Sequence, residues 1–357
     1  VPRRDIIVIG ASAGGFDPLL RLVGSLPASM PAVVLVALHT SAHNPGFLPQ
    51  MLSRAGRMSA RFAADGDALR HGEILVAPAD HHLLVDGAHV SVTRGPRENG
   101  FRPAIDALFR TAAAQQGPRV AGVILSGALT DGTYGLLCIK HRGGIAIVQR
   151  VEEALVRSMP LSAIRAVEVD HIVGVEEMGP LLVRLAREPV SDGGRPMARK
   201  GAKHDVAERG THALHANELT GSPSAFTCPD CGGALWELTN GDLIRYRCHV
   251  GHGYTAESLA NGQHDGIEVA LWTAVRTLEE HAQLHRRLRD DANDRGLEAI
   301  ARGYAERARS VEEQANSVRA LLMREPGTVR AEAPGERPAA RRSGRRARRT
   351  PRRAGAR

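Results

Sequence analysis

Aromatic residues make up only 3% of this 357-residue chain, and it has just four cysteines. So few thiols at this length exclude a disulfide framework. Three of them, Cys228, Cys231 and Cys248, are clustered, which suits a reducing, cytoplasmic setting with a metal site. No run of about 18 apolar residues is present to span a membrane, and no basic segment followed by an apolar one opens the sequence as a secretory leader would. Membrane insertion is therefore not expected. Acidic residues are missing from one place: Arg337 to Arg357 holds ten arginines and no carboxylate. The remainder carries 37 of the 47 basic residues against all 39 acidic ones, so the net charge of +8 belongs to the tail. Nucleic-acid binding is thus confined to that tail, where a solvated low-complexity segment is an equal alternative.

What is present is a sizeable apolar fraction, 43%, in a length that suits about two domains. Apolar runs at Ile6–Ile9, Val33–Leu38, Glu73–Val76, Val120–Leu125, Ala146–Val148 and His171–Val175 read as strands. Helical patterns at Phe16–Leu26, Phe47–Ala55, Ala104–Ala114 and Tyr134–Arg142 lie between them. This alternation predicts an α/β fold, a doubly wound and mostly parallel sheet, over residues 1–187. A polar linker follows at 188–223, a cysteine-bearing unit at 224–256, a helical hairpin or coiled coil at 264–324 and a disordered Arg-rich tail at 325–357. The second hairpin helix spaces Leu297, Ala301, Tyr304, Ala308, Val311, Ala315, Val318 and Leu322 at alternating fours and threes. That seam, within 267–323, could be buried in the hairpin itself, by a partner helix or by self-association.

In open α/β sheets ligands sit at the carboxyl ends of strands, and three chemistry-bearing residues fall there. Ser12 follows Ile6-Ile7-Val8-Ile9-Gly10-Ala11 on a small-residue turn into a helix. His39 ends the second run, and Asp131 lies just past Val120–Leu125 in Ser126-Gly127-Ala128-Leu129-Thr130-Asp131-Gly132. Nucleophile, base and carboxylate on one rim satisfy the roles of a Ser-His-Asp triad. Each also has a plainer reading: a turn serine, a structural histidine and a helix cap. The turn before a helix would suit a phosphate equally well. A nucleotide-binding reading is the weaker of the two, because the spacing G-x-G-x-x-G is missing and a histidine ends the second strand where an acid would stand.

Several motifs together carry a resemblance. Gly10-Ala11-Ser12-Ala13-Gly14-Gly15, His39, Gly72 to His82, Arg102 to Phe109 and Ser126 to Gly132 resemble, in order, the catalytic domain of the chemotaxis protein-glutamate methylesterases. The likeness spans about Ile6 to Val183. It implies Ser12 as nucleophile, His39 as general base and Asp131 as orienting carboxylate, with no cofactor for catalysis. The implied substrate is a glutamyl methyl ester on a chemoreceptor or similar methylated signalling protein, and whether glutamine deamidation accompanies ester hydrolysis is left open. It also implies backbone N–H donors for the oxyanion at Ala13 and Ala128. The family loop Thr-Gly-Met-Gly is Ser126-Gly127-Ala128-Leu129 here, which keeps the N–H and changes the groove wall. The family's receiver domain is expected to be missing before Ile6, a stand-alone form.

Cys228-Pro229-Asp230-Cys231 has knuckle spacing, and Cys248 with a histidine shortly after it completes a set of zinc ligands. His252 is favoured over His249 because four-residue spacing permits a closed loop through Gly251. The implied zinc is structural and separate from the chemistry. A different class of function stays open beside the esterase: a non-catalytic regulatory binding protein acting through the zinc module, the hairpin and the basic tail.

Overall fold

In the computed structural model, which describes residues 2–42, 46–190, 221–240 and 243–323, seven strands form one parallel sheet. They are β1 (Ile6–Ala11), β2 (Val33–Leu38), β3 (Ser59–Phe62), β4 (Glu73–Val76), β7 (Val120–Ile124), β8 (Ile145–Gln149) and β9 (His171–Val173). Their spatial order is β3-β4-β2-β1-β7-β8-β9, every pairing parallel. Between β4 and β7 a separate antiparallel hairpin, β5 (His82–Asp86) and β6 (His89–Thr93), intervenes.

The central strands are apolar at every position because both faces of the sheet are covered. Ile6 and Val8 point into one core with Leu35, Leu108, Phe109 and Leu136. Ile7 and Ile9 point into the other with Leu19, Leu22, Val34 and Leu182. Helices α3 (Ile105–Gln116), α4 (Thr133–His141) and α5 (Ser158–Ala166) supply the first layer, and α1 (Phe16–Gly24), α2 (Leu48–Ala55) and α6 (Val175–Leu185) the second. Cys138 of α4 packs at the edge of the first core, where burial pushes its thiol up to about 11 and leaves it unreactive at neutral pH.

From β1 the sheet extends through β2, β4 and β3 to one edge, and from β7 through β8 and β9 to the other. The winding reverses between β1 and β7. At such a reversal the loops diverge to opposite sides and leave a crevice at the strand ends. Ser12, at the end of β1, and the Ser126–Asp131 loop, at the end of β7, are therefore brought to the mouth of one crevice.

A second, four-stranded antiparallel sheet comprises β10 (Ser222–Thr227), β11 (Ala234–Asn240), β12 (Leu243–Cys248) and β13 (Gly253–Thr255). Its core holds Cys228, Leu235, Tyr246, Cys248, Tyr254 and Leu259. Helices α7 (Ala256–Asp294) and α8 (Glu298–Leu322) follow. The hairpin's first helix thus starts at Ala256 and grows directly out of β13. Two compact units result, Val1–Ile267 and the residues from Glu268 onward, so the cysteine-bearing sheet shares a unit with the parallel sheet. Within the second unit, Ala301, Ala308, Val311 and Ala315 of the seam are buried, as are Val275, Ala282 and Ala292 of α7, and Arg286–Glu312 and Arg319–Glu279 ion pairs join the two helices. Residues 191–220 of the expected linker and the expected tail at 325–357 lie outside the described residues.

The start of α3 presses on β1 where only glycine fits: a Cβ on Gly10 would lie 2.3 Å from Ile105 Cγ2. Gly10→Ala is expected to cost about 1–3 kcal/mol by overpacking, read by urea denaturation. Combined with Ile105→Ala it should cost less than the sum of the two single changes, because the second removes the atom the first strikes. Additive costs would show that strand and helix do not meet in this way.

Candidate active site

Ser12 leaves β1 with its N–H donating to Ser126 O at 3.0 Å, and Gly15 N–H donates back to Ser12 O at 2.9 Å. Gly14 takes φ +70°, the left-handed conformation a glycine adopts without strain. Gly127 comes so close that a Cβ there would be 3.0 Å from Ser12 Cβ. The serine hydroxyl is therefore held on a short, glycine-lined turn between two strand ends.

His39 follows β2 directly, and its N–H is tied to Ala11 O at 3.0 Å. Its ring lies flat on Phe101, centroids 3.7 Å apart and 13° between planes. Nδ1 is 3.0 Å from Ser12 Oγ, and Nε2 is 2.7 Å from Asp131 Oδ2. An ionised carboxylate can only accept, so Nε2 carries the proton and Nδ1 offers its lone pair to the Ser12 hydroxyl. The His39 side chain is 4% exposed and that of Asp131 is 0% exposed, which keeps water from competing for this line of bonds.

Asp131 accepts more than the histidine. Ile105 N–H donates to Oδ2 at 2.7 Å, and Asp106 N–H, Gly132 N–H and the Asn99 amide donate to Oδ1 at 3.1, 3.1 and 2.9 Å. Two of these donors are free N–H groups of the first turn of α3, where the helix dipole also favours an anion. Burial alone would raise the Asp131 pKa. The hydrogen bonds from His39, the Ile105 N–H and the Asn99 amide outweigh that and hold it below the usual carboxylate range.

Beside it, Asp106 accepts from Gly132, Gly135 and Asn99, yet burial and the neighbouring Asp131 charge push it up to about 7. The two carboxylates titrate apart, and Asp131 is the one that stays charged.

The structure thus brings Ser12, His39 and Asp131 together in one hydrogen-bonded line. The N–H groups of Ala13 and Ala128, on the two loops flanking Ser12, find no protein partner among the described residues. Four further residues were not singled out from the sequence. Asn99 and Phe101 lie in a polar stretch without a chemical motif, and Asp106 lies within the Arg102 to Phe109 stretch of the resemblance, which by itself gives it no role. Glu98, beside Asn99, is buried and accepts a bidentate pair from Arg110 at 2.9 Å for each bond and one bond from Arg245 at 3.4 Å.

The clustered cysteines also converge. Cys228, Cys231, Cys248 and His252 present ligand atoms all within 4.8 Å of one another. Cys231 and Cys248 sulfurs are 3.7 Å apart, and His252 Nδ1 is 3.6 Å from Cys228 and 3.5 Å from Cys248. Tetrahedral zinc with ordinary bond lengths needs about 3.8 Å between sulfurs and about 3.6 Å from sulfur to nitrogen. The donors fit that ion, and His249 is exposed outside the cluster.

A family model described as CheB methylesterase matches residues 7–182. A Leptospira interrogans protein, named as a candidate protein-glutamate methylesterase/protein-glutamine glutaminase, is 35% identical over 182 residues, 51% of this chain and 94% of its own length. The Methanosarcina mazei protein-glutamate methylesterase/protein-glutamine glutaminase 2 is 34% identical over 197 residues, 52% of this chain and 52% of its own. The crystal structure of the Thermotoga maritima CheB methylesterase catalytic domain covers 51% of this chain and 98% of that chain, with 29% identity and a TM-score of 0.49.

Glu98 supplies a test of the buried charge beside the site. Arg110, Arg245 and Arg247 hold its carboxyl far below the ordinary 4.5 despite full burial. A depressed carboxylate contributes stability above its unfolded pKa and loses it as pH falls. Glu98→Gln should therefore cost about 3–5 kcal/mol at pH 7, and the gap to wild type should narrow as pH drops below the ordinary value. Denaturant unfolding at pH 7 and pH 3 measures both; a gap that does not change with pH would remove the carboxylate's charge from the account.

Proposed function

This chain belongs to the CheB methylesterase family, and from that membership we propose that it hydrolyses glutamyl methyl esters on a methylated chemoreceptor or a similar signalling protein. The observation that carries the reading is the unbroken line Ser12 Oγ, His39 Nδ1, His39 Nε2, Asp131 Oδ2. His39 takes the hydroxyl proton of Ser12 as its oxygen attacks the ester carbonyl carbon. The carbonyl π-electrons move onto oxygen, and the N–H groups of Ala13 and Ala128 receive that oxyanion. The tetrahedral species collapses with loss of methoxide, which leaves as methanol with the proton His39 holds. Water, deprotonated by the same imidazole, then cleaves the acyl-enzyme and restores Ser12. General base action contributes about 10²–10⁴-fold, and a single oxyanion donor about 10²–10³-fold. A glutamine side chain would follow the same course with ammonia as the leaving group, in keeping with the double names of the relatives.

Asp131 keeps its charge well below neutral pH, so it remains an anion able to face the imidazolium formed during attack. No cofactor enters these steps. No helix among the described residues is long and apolar enough to cross a membrane, and the four free thiols suit the cytoplasm, where we place the reaction. Cys228, Cys231, Cys248 and His252 would hold a zinc ion, whose chemistry there is to tie β10, β12 and the loop before β13 together.

Two measurements test this. With radiolabelled methylated chemoreceptor, wild type should release volatile methanol. Ser12→Ala and His39→Ala should lose at least about 10⁴-fold, and Asp131→Asn about 10³–10⁴-fold. Near wild-type release by folded Ser12→Ala would overturn the assignment. Elemental analysis of protein purified under reducing conditions should find one zinc per chain, and Cys248→Ala should lose it. Zinc-free wild type would refute the metal.

A further inference from the structure

Asn99 has no place in the ester chemistry, yet it is 4% exposed, all its amide valences are used, and it adopts φ +54°. Its nitrogen donates one proton to Asp131 Oδ1 and the other to Asp106 Oδ2, each at 2.9 Å. Its oxygen accepts from Thr255 N–H at 3.0 Å and from the Ser258 hydroxyl at 2.9 Å. The backbone is gripped as well: Asn99 N–H donates to Gly253 O at 2.7 Å, and Gly253 N–H to Arg97 O at 3.3 Å. Thr255 Oγ1 lies 2.8 Å from Thr130 Oγ1, one residue from the catalytic aspartate.

The donors to the Asn99 oxygen and the acceptor of its backbone N–H, Thr255, Ser258 and Gly253, all lie within six residues after the cluster ligand His252. Gly253 directly follows His252, and the ligand loop is closed by Cys248 N–H to His252 O at 3.0 Å. Tyr254, between Gly253 and Thr255, places its hydroxyl 3.3 Å from Cys228 Sγ and hydrogen-bonds Asp230. Only Gly253 and Tyr254 separate the cluster ligand His252 from the Thr255 N–H that orients Asn99. An amide has an accepting end and a donating end, and two carboxylates beside it would repel the wrong one. Thr255 and Ser258 claim the oxygen and so force the nitrogen toward Asp131.

We infer that the Cys228–Ser258 segment is a clamp on the catalytic carboxylate, with Asn99, Thr255 and Ser258 as positioning residues through which the state of the cysteine-histidine cluster sets the rate of the triad. This rests on the esterase reading and adds a dependence to it: an intact cluster is needed for full turnover although it touches no reacting atom. A cysteine-histidine unit serving only as a structural appendage would have no such effect.

The test uses the full chain in five forms: wild type, Asn99→Ala, Ser258→Ala, wild type stripped of metal by a chelator under reducing conditions, and His249→Ala as the exposed control. Two quantities are read: kcat and KM for methanol release, and the downfield proton resonance of the His39 N–H shared with Asp131. Asn99→Ala should lower kcat about 10–100-fold, the loss of a hydrogen bond to a buried charge, with KM within about twofold and the resonance displaced or broadened. Stripped wild type should change in the same direction in both readouts. Ser258→Ala should lose about 3–10-fold, and His249→Ala should match wild type. Wild-type kcat and resonance in Asn99→Ala would overturn the clamp. The same result in stripped protein would also overturn it, as would that result in Ser258→Ala if Asn99→Ala does not fold. If wild type itself releases no methanol, the esterase reading fails, and the resonance alone decides whether the segment holds Asp131.

Discussion

A carboxylate with no exposed surface needs a donor for each lone pair it presents, and Asp131 finds five: one imidazole, one amide and three backbone N–H groups. Much of the local architecture follows from meeting that need. Helix α3 must begin beside the end of β7 so that its free N–H groups reach the anion. This brings Ile105 against β1 and leaves no room for a side chain at Gly10. Gly132, at φ +93°, must turn sharply after the aspartate to present its own N–H, in a space where a Cβ would strike Ile124 and Ile105. Asp106 is drawn in behind it and is left with the raised pKa that a second buried acid must take.

The neighbouring ion group repeats the pattern at the junction with the cysteine-bearing sheet. Glu98 comes from the loop that carries Asn99, Arg110 from α3, and Arg245 from β12, where its guanidinium also lies 4.0 Å over the Tyr134 ring. Such a buried group gains little over an apolar core of the same shape, but it cannot be separated without stranding a charge. It therefore joins the two sheets of the first unit more by the cost of parting them than by their attraction.

The doubly wound sheet was legible because β1, β2 and β7 are buried on both faces and so read as unbroken apolar runs. The hydrogen-bonded line of Ser12, His39 and Asp131 could be sought in the sequence because Ser12 and His39 directly follow such runs and Asp131 lies in the loop after a third. Strand β3 (Ser-Ala-Arg-Phe) sits at the sheet edge with alternating exposure and has too little apolar character to announce itself. Helix α6 carries Pro180 in its interior, which reads as a break, although its Met178, Leu181, Leu182 and Leu185 are buried. Asn99 was invisible for another reason. Between Arg97, Glu98 and Gly100 it reads as a surface turn, and its burial depends on residues more than 150 positions later. The cysteine cluster could be read as four ligands from its spacing, but spacing carries no information about what the closed loop would rest against.

That distance along the chain has a temporal side. A ribosome extends a chain at about 5–20 residues per second. Ser12 and His39, 27 positions apart, emerge within seconds of each other, and Asp131 follows 92 positions after His39. Thr255 trails Asn99 by 156 positions, so about 8–30 seconds pass between them. During that interval a nascent chain can already pair β1 with β7 and assemble serine, histidine and aspartate, while the amide that aims the aspartate is still without its partners. Synthesis itself thus separates the appearance of Ser12, His39 and Asp131 from the completion of the contacts around Asn99.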